Sequence, residues 1–205
     1  MIYLIITSSI NNKAGVIDYE HRKNTYINAI TKTLSILPSE IKPIIVENNG
    51  TRETYLDSLP CDIHYTSNNS ESCTHKGVNE LLDIKSVIEH YKIQDDDMII
   101  KLTGRYTVLD DSFFKRILEN SEKDAFVKFF NVCTMMFLTN DCVLGLFAIR
   151  CKFLKNFAYS TNYANSPEVE FATYVKEVTS SEKRIDIQSL GVRCCFADNL
   201  RILDV

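Results

Sequence analysis

Apolar residues recur along this chain with two distinct periods. Ile2 to Ile6 is a continuous apolar run, the pattern of a strand buried on both faces. A polar loop follows over 7–22. Residues 23–37 then place Tyr26, Ile27, Ile30, Leu34 and Leu37 at helical spacing, and Pro38 closes the segment. A second buried strand, 43–46, ends in Glu47-Asn48-Asn49-Gly50. A turn of helix is expected at 54–59 and a short strand at 62–66. The spacing of Val78, Leu81, Leu82, Ile84, Val87, Ile88 and Tyr91 predicts a helix over 77–91, and 98–102 reads as another buried strand. The order is β-α-β-β-α-β, which implies a mainly parallel sheet with helices on its faces.

The second half is richer in strand patterns. Strands are expected at 125–130, 134–139, 144–150, 185–187 and 192–196. Helices are expected at 112–120, 152–157 and 167–178. No repeat or linker divides the chain, so 1–205 reads as one α/β domain.

Ligands of such sheets gather outside the carboxyl ends of the strands. The strand over 98–102 carries Lys101 and runs into Thr103-Gly104-Arg105-Tyr106, and an arginine fork suits phosphate oxygens. Thr7 ends the first strand, and Arg22 opens the following helix, where a cation opposes the helix dipole. Glu47, Asn48 and Asn49 either form a tight turn or read a base or ribose. Lys76 and Gly77 start a helix whose free N–H groups attract anions; the alternative is a plain helix start. No Walker spacing is present.

Asp95-Asp96-Asp97 precedes its strand, at the end away from ligands, and reads as a solvated turn. Asp110 and Asp111 are better placed for a metal, or else cap the helix from Ser112. Ser166-Pro167-Glu168-Val169-Glu170 is a helix-start signature. It also offers Glu168 or Glu170 as a general base, with Asp141 as a competitor. His21, His64, His75 and His90 show no metal-ligand spacing.

Composition narrows the class. The net charge of −4 gives no basic surplus that would favour nucleic acid. Seven cysteines, with Cys194 and Cys195 adjacent, make a poor disulfide framework and point to free thiols in a reducing compartment. The apolar start lacks a basic n-region, and no run reaches bilayer length, so a cytoplasmic protein is expected.

Taken in order, these motifs resemble a glycosyltransferase of the A-type fold. The resemblance is carried by Ile2 to Thr7 with the Arg22 loop, by Glu47-Asn48-Asn49-Gly50, by Lys76-Gly77-x-x-Glu80 and by Lys101-Leu102-Thr103-Gly104-Arg105-Tyr106. The last is similar to a pattern of small glycosyltransferases from bacteria and large DNA viruses, for which the location would be bacterial or host cytoplasm. It covers the first 110 residues, and the remainder only by layout. The resemblance implies a single-domain, Rossmann-like nucleotide-diphospho-sugar transferase fold. It also implies a nucleotide-binding half, 1–110, with a nucleotide-sugar donor over the first strands, and an acceptor-binding half, 111–205, for a glycan or glycoprotein. Members of this fold carry Asp-x-Asp at the end of the central strand, holding a divalent metal (Mn or Mg). Here that place holds Thr103-Gly104-Arg105. Either Arg105 and Lys101 replace the metal charge, or Asp110 or Asp111 supplies a shifted ligand. Two other functions compete: nucleotidyl transfer that builds a nucleotide sugar, against which stands the missing Gly-rich loop after the first strand, and a non-catalytic nucleotide- or sugar-binding module.

Overall fold

The computed structural model describes residues 1–12, 18–50, 52–70, 76–129, 140–160, 165–197 and 199–205. Apolar β1 (Ile2–Ser8) lies between β2 (Ile41–Glu47) and β4 (Met98–Thr103), parallel to both. β3 (Asp62–Tyr65) extends the parallel part beyond β2. Pro43 is tolerated inside β2 because β3 pairs only from Ile44 onward, so the missing N–H lies beyond that ladder.

On the other side, β7 (Leu146–Arg150) runs antiparallel to β4, β6 (Ala125–Val127) antiparallel to β7, and β8 (Arg184–Asp186) parallel to β6. Among the described residues the sheet has seven strands in the order β3-β2-β1-β4-β7-β6-β8. It is mixed and mainly parallel, as the alternation of strand and helix patterns predicts.

Alternation along β1 and β4 sends their side chains to two apolar layers. Leu4, Ile6, Ile100 and Leu102 pack with Tyr26 and Ile30 of α1 (Tyr19–Ile36) and with Phe113, Phe114 and Ile117 of α3 (Ser112–Glu119). Tyr3, Ile5 and Ile99 pack with Ile84 and Val87 of α2 (Lys76–His90). The same layer takes Leu154 of α4 (Cys151–Asn156) and Phe171 and Val175 of α5 (Pro167–Val178). Ser166 caps α5 with Pro167 in its first turn, as the sequence pattern anticipates.

Two features depart from the pattern reading. β5 (Thr107–Val108), β9 (Val192–Cys195) and β10 (Ile202–Asp204) form a small antiparallel sheet. β5 and β10 are too short to show a period. The strand expected over 125–130 ends at Val127, after which Phe129 makes only an isolated bridge to Cys142. The strand expected at 134–139 lies outside the described residues.

Candidate functional site

The chain leaves β1 for β2 and β3, then crosses back to place β4 on the other side of β1. That reversal puts the topological switch point, the crevice in which α/β sheets bind ligands, outside the carboxyl ends of β1 and β4. Thr7 and Thr103 are register partners on these adjacent strands, and both are buried beneath it. The N–H of Gly104 donates to the Thr7 carbonyl at 2.8 Å. A Cβ on Gly104 would lie 2.9 Å from both that oxygen and Tyr26 Cε1, so the two chains meet only because residue 104 has no side chain.

Lys101 turns sideways from the strand toward α2. Its side chain is only 2% exposed, and its Nζ lies 2.8 Å from Glu80 Oε1. It also donates to Thr103 Oγ1 and to the Leu144 carbonyl, each at 2.7 Å. These three contacts use all three protons of the ammonium. Thr7 Oγ1 donates to the same Glu80 oxygen. Burial alone would raise the Glu80 carboxyl. The Lys101 charge and hydrogen bond, with the Thr7 hydroxyl, outweigh burial and hold it below the ordinary range. Lys101 and Glu80 therefore cancel, and this pair brings no net positive charge to the crevice.

Glu47, at the end of β2, is fully buried. It accepts from Ser8 Oγ at 2.7 Å, from the Ile10 N–H, and from the N–H and Nδ2 of Asn49. It thus holds the turns that follow β1 and β2. Asn48 Nδ2 donates at 3.0 Å to Asp83 of α2, which also accepts from Thr66 and Asn68, both at 2.7 Å. Burial pushes the Asp83 carboxyl up to about 6 despite these donors. Asp83 so clamps the ends of β2 and β3 to α2. Asn49 Oδ1 accepts from Asn69 Nδ2 at 2.6 Å, and Asn69 also donates to the Asn11 carbonyl. The result is a row of amides on the carboxyl ends of β1, β2 and β3.

On the opposite layer two arginines converge on Tyr26. Arg22 donates through Nε to the Ser9 carbonyl at 2.6 Å and through Nη2 to the Tyr26 hydroxyl at 3.2 Å. The Ser9 N–H also donates to that hydroxyl. Arg105 donates through Nε to the Cys195 carbonyl at 2.8 Å and is also hydrogen-bonded to Tyr26. Its guanidinium carbon lies 5.2 Å from the centre of the Tyr106 ring. Tyr106 is itself a core residue, packed where a Cβ on Gly145 would otherwise sit. Both arginines line a small pocket open to solvent with Asp18, His21, Phe196 and Leu200.

The starts of α2 and α5 meet on the α2 layer. A Cβ on Gly77 would lie 3.2 Å from Pro167 and 3.4 Å from Tyr159. Burial, then the charges of Glu80, Cys142, Glu168 and Glu170, raise the Tyr159 hydroxyl well above its usual value. Helix α5 therefore begins beside the Lys101–Glu80 pair. Glu170 accepts from the N–H and hydroxyl of Ser160, tying the segment after α4 to α5. The backbone carbonyl of Glu168 accepts from Cys142 Sγ at 3.3 Å. Asp141 is fully buried just before Cys142. Because β7 is antiparallel to β4, this entry to β7 lies at the ligand edge. Lys76 is the first residue of α2. Thr74 and His75 lie outside the described residues.

The carboxylates considered for a metal have other partners. Asp110 Oδ1 accepts the Ser112 N–H at 2.9 Å, and Asp111 pairs with Lys115 at 2.9 Å, so both serve the start of α3. Asp95 and Asp97 sit at the amino end of β4, away from the crevice. Asp97 accepts the Gln94 N–H, and Asp95 pairs with Lys155. Among the described residues no three His, Cys, Asp or Glu side chains form a group able to hold a metal.

Pattern reading assigned no role to Glu80, Asp83, Tyr26, Asn69 or Tyr159. Tyr26 follows Arg22 at i+4, and Glu80 lies in the quoted helix-start motif, so both had a local signal. The partners of the other three come from distant segments.

The sequence matches no protein-family profile and no curated protein sequence. Solved structures resemble the fold. The mannosyltransferase PcManGT from Pyrobaculum calidifontis, in complex with GDP-Man and Mn2+, superposes with a TM-score of 0.54 at 8% identity, over 91% of this chain and 54% of that one. TarS 1-349 from S. aureus gives 0.57 at 11% identity, over 100% and 60%. A CMP:2-keto-3-deoxy-manno-octonic acid synthetase complexed with CTP gives 0.53 at 10% identity, over 91% and 90%. The chain thus spans between half and two thirds of the first two. It has the A-type nucleotide-diphospho-sugar transferase fold. No helix among the described residues is long and apolar enough to cross a membrane.

Proposed function

We propose that this protein transfers a sugar from a nucleotide-sugar donor to a glycan or glycoprotein acceptor. The observation that carries the reading is the set of polar residues around the strand ends at Thr7 and Thr103. It lies at the topological switch point, floored by Gly104, with the amide row on one side and two arginines on the other. In this reading the base and ribose lie over Asn48, Asn49 and Asn69, and the diphosphate lies toward Arg105. The acceptor enters across 111–205, beside the start of α5. In an inverting transfer, Glu168 takes the acceptor hydroxyl proton as that oxygen bonds to the sugar's anomeric carbon and the bond from that carbon to the donor phosphate oxygen breaks, releasing the nucleotide. Glu170 holds the Ser160 segment, and Asp141 stands second as base. Thr7, Lys101 and Glu47 act one step back, holding the strand ends and turns in place, and Tyr106 supports Arg105.

The test is release of nucleotide from UDP-, GDP-, TDP- and CMP-sugars, followed by chromatography, with melting temperature as a parallel reading of binding. Turnover of one donor is expected. No release and no stabilisation with any of them refutes the proposal. A second reading, nucleotidyl transfer, is favoured by the similar length of the CTP-bound synthetase. It requires pyrophosphate release from a nucleoside triphosphate and a sugar acid or sugar phosphate, which the same chromatography detects.

A further inference from the structure

Relatives of this fold commonly meet the donor diphosphate with a divalent metal held by carboxylates after the central strand. The residues present here do not fit one. The three positions after Leu102 are Thr103, Gly104 and Arg105. The nearest carboxylate on that layer, Glu80, is bound to Lys101 and Thr7. Asp110 and Asp111 serve the start of α3. A metal centre assembled from these groups would have to break an ion pair or uncap a helix.

Lys101 is neutralised by Glu80. The direct hydrogen-bond partners of Arg22 and Arg105 among the described residues are neutral, the Ser9 and Cys195 carbonyls and the Tyr26 hydroxyl, while the Glu80 charge acts on Arg105 without a hydrogen bond to it. The two guanidiniums line one pocket and share one phenol, with Asp18 also in its lining, and neither arginine is in an ion pair among the described residues, so each keeps N–H donors for an anion. Their Nε atoms are anchored to the main chain, which sets the forks rigidly. A planar fork pairs two parallel N–H groups with two phosphate oxygens.

We infer that Arg22 and Arg105 together bind the donor diphosphate in place of a divalent metal. The inference rests on the nucleotide-sugar reading for the identity of the ligand, and on the arginine pair alone for the chemistry. A diphosphate bridging the forks would receive charge-assisted hydrogen bonds from α1 and from the end of β4. It would thereby tie the turn after β1 to Gly104.

The probe is inorganic pyrophosphate, titrated calorimetrically into the full chain, once with EDTA and once with manganese. Equal affinity in the two buffers is expected. Arg22→Ala and Arg105→Ala should each weaken binding about ten- to a hundredfold, the loss of a charge-assisted contact. Arg22→Lys and Arg105→Lys keep the charge without the fork and should weaken it less, and they serve if an alanine variant fails to fold. Binding only with manganese, no binding in either buffer, or unchanged affinity in the folded variants overturns the inference. The two proposals fail separately. If pyrophosphate binds the arginines but no nucleotide sugar is bound or turned over, the transferase reading falls and this one stands. If a nucleotide sugar is turned over only with manganese and the arginine variants match the wild type, the reverse holds.

Discussion

The Lys101–Glu80 pair makes an unequal prediction for its two halves. The Lys101 side chain is 2% exposed, whereas Glu80 keeps 28%. Glu80→Leu removes the counter-charge from an ammonium that keeps its contacts to the Thr103 hydroxyl and the Leu144 carbonyl, both uncharged. Breaking a buried pair in this way costs about 3–5 kcal/mol. Lys101→Met leaves a carboxylate that still reaches water and the Thr7 hydroxyl. The main loss is then the donor to the Leu144 carbonyl, at about 1–3 kcal/mol. The double variant has no stranded charge, so it should be less destabilised than the sum by at least about 1 kcal/mol. Urea unfolding of the four proteins at neutral pH, compared by linear extrapolation, measures all of this. The acid limb adds a check. Glu80 is held below its ordinary value of 4.5, so its contribution is complete above that value and is lost as pH falls through the lower folded value. A Glu80→Leu cost smaller than that of Lys101→Met, or a coupling under about 0.5 kcal/mol, would refute the reasoning.

Glu168→Gln should lower turnover by about 10²-fold or more with donor binding kept, as expected for loss of a general base. Glu170→Gln should act on stability instead, by about 1 kcal/mol, since it unties Ser160. Wild-type turnover in Glu168→Gln moves the base to Asp141. Asp83 titrates in the opposite sense to Glu80: folding raises its value to about 6, so this term favours the folded state more as pH falls from about 6 toward 4. In Asp83→Asn the new amide can donate to Asn48 Oδ1, which has no donor now, once Asn48 turns its amide over, while its oxygen keeps Thr66 and Asn68. That variant should flatten this part of the stability–pH curve without loss at pH 8, whereas Asp83→Leu should cost about 1–3 kcal/mol. An unchanged pH curve for Asp83→Asn would show the group is not the one titrating. Gly104→Ala places a methyl 2.9 Å from a backbone oxygen and from the Tyr26 ring, for a cost of about 1–3 kcal/mol by urea unfolding. A neutral result would mean that the strand ends are not held together there.

The local patterns by themselves determined the order of elements and the apolar faces. The run from Ile2 to Ile6 can be satisfied only by burial on both sides, and the 3.6-residue period of 77–91 can be buried only on one. Those requirements lead to a central parallel sheet between two helical layers, and Pro167 after Ser166 marks the start of α5 without any tertiary information. The strand-end motifs were legible as polar residues delivered to one edge. What each one does there was decided by long-range partners. Lys101 and Arg105 look equally cationic in sequence, yet strand alternation sends Lys101 to α2, where Glu80 neutralises it. Arg105 leaves the strand after Gly104 and meets Arg22, 83 positions earlier in the chain (105 minus 22), over Tyr26. Glu47, open to a base-reading role in sequence, is enclosed by Ser8, Ile10 and Asn49 once β1 and β2 lie side by side. The physical reason is general: periodicity specifies which face of an element is buried. Whether a charge on that face is paired or free to bind depends on which distant residue the topology brings within reach.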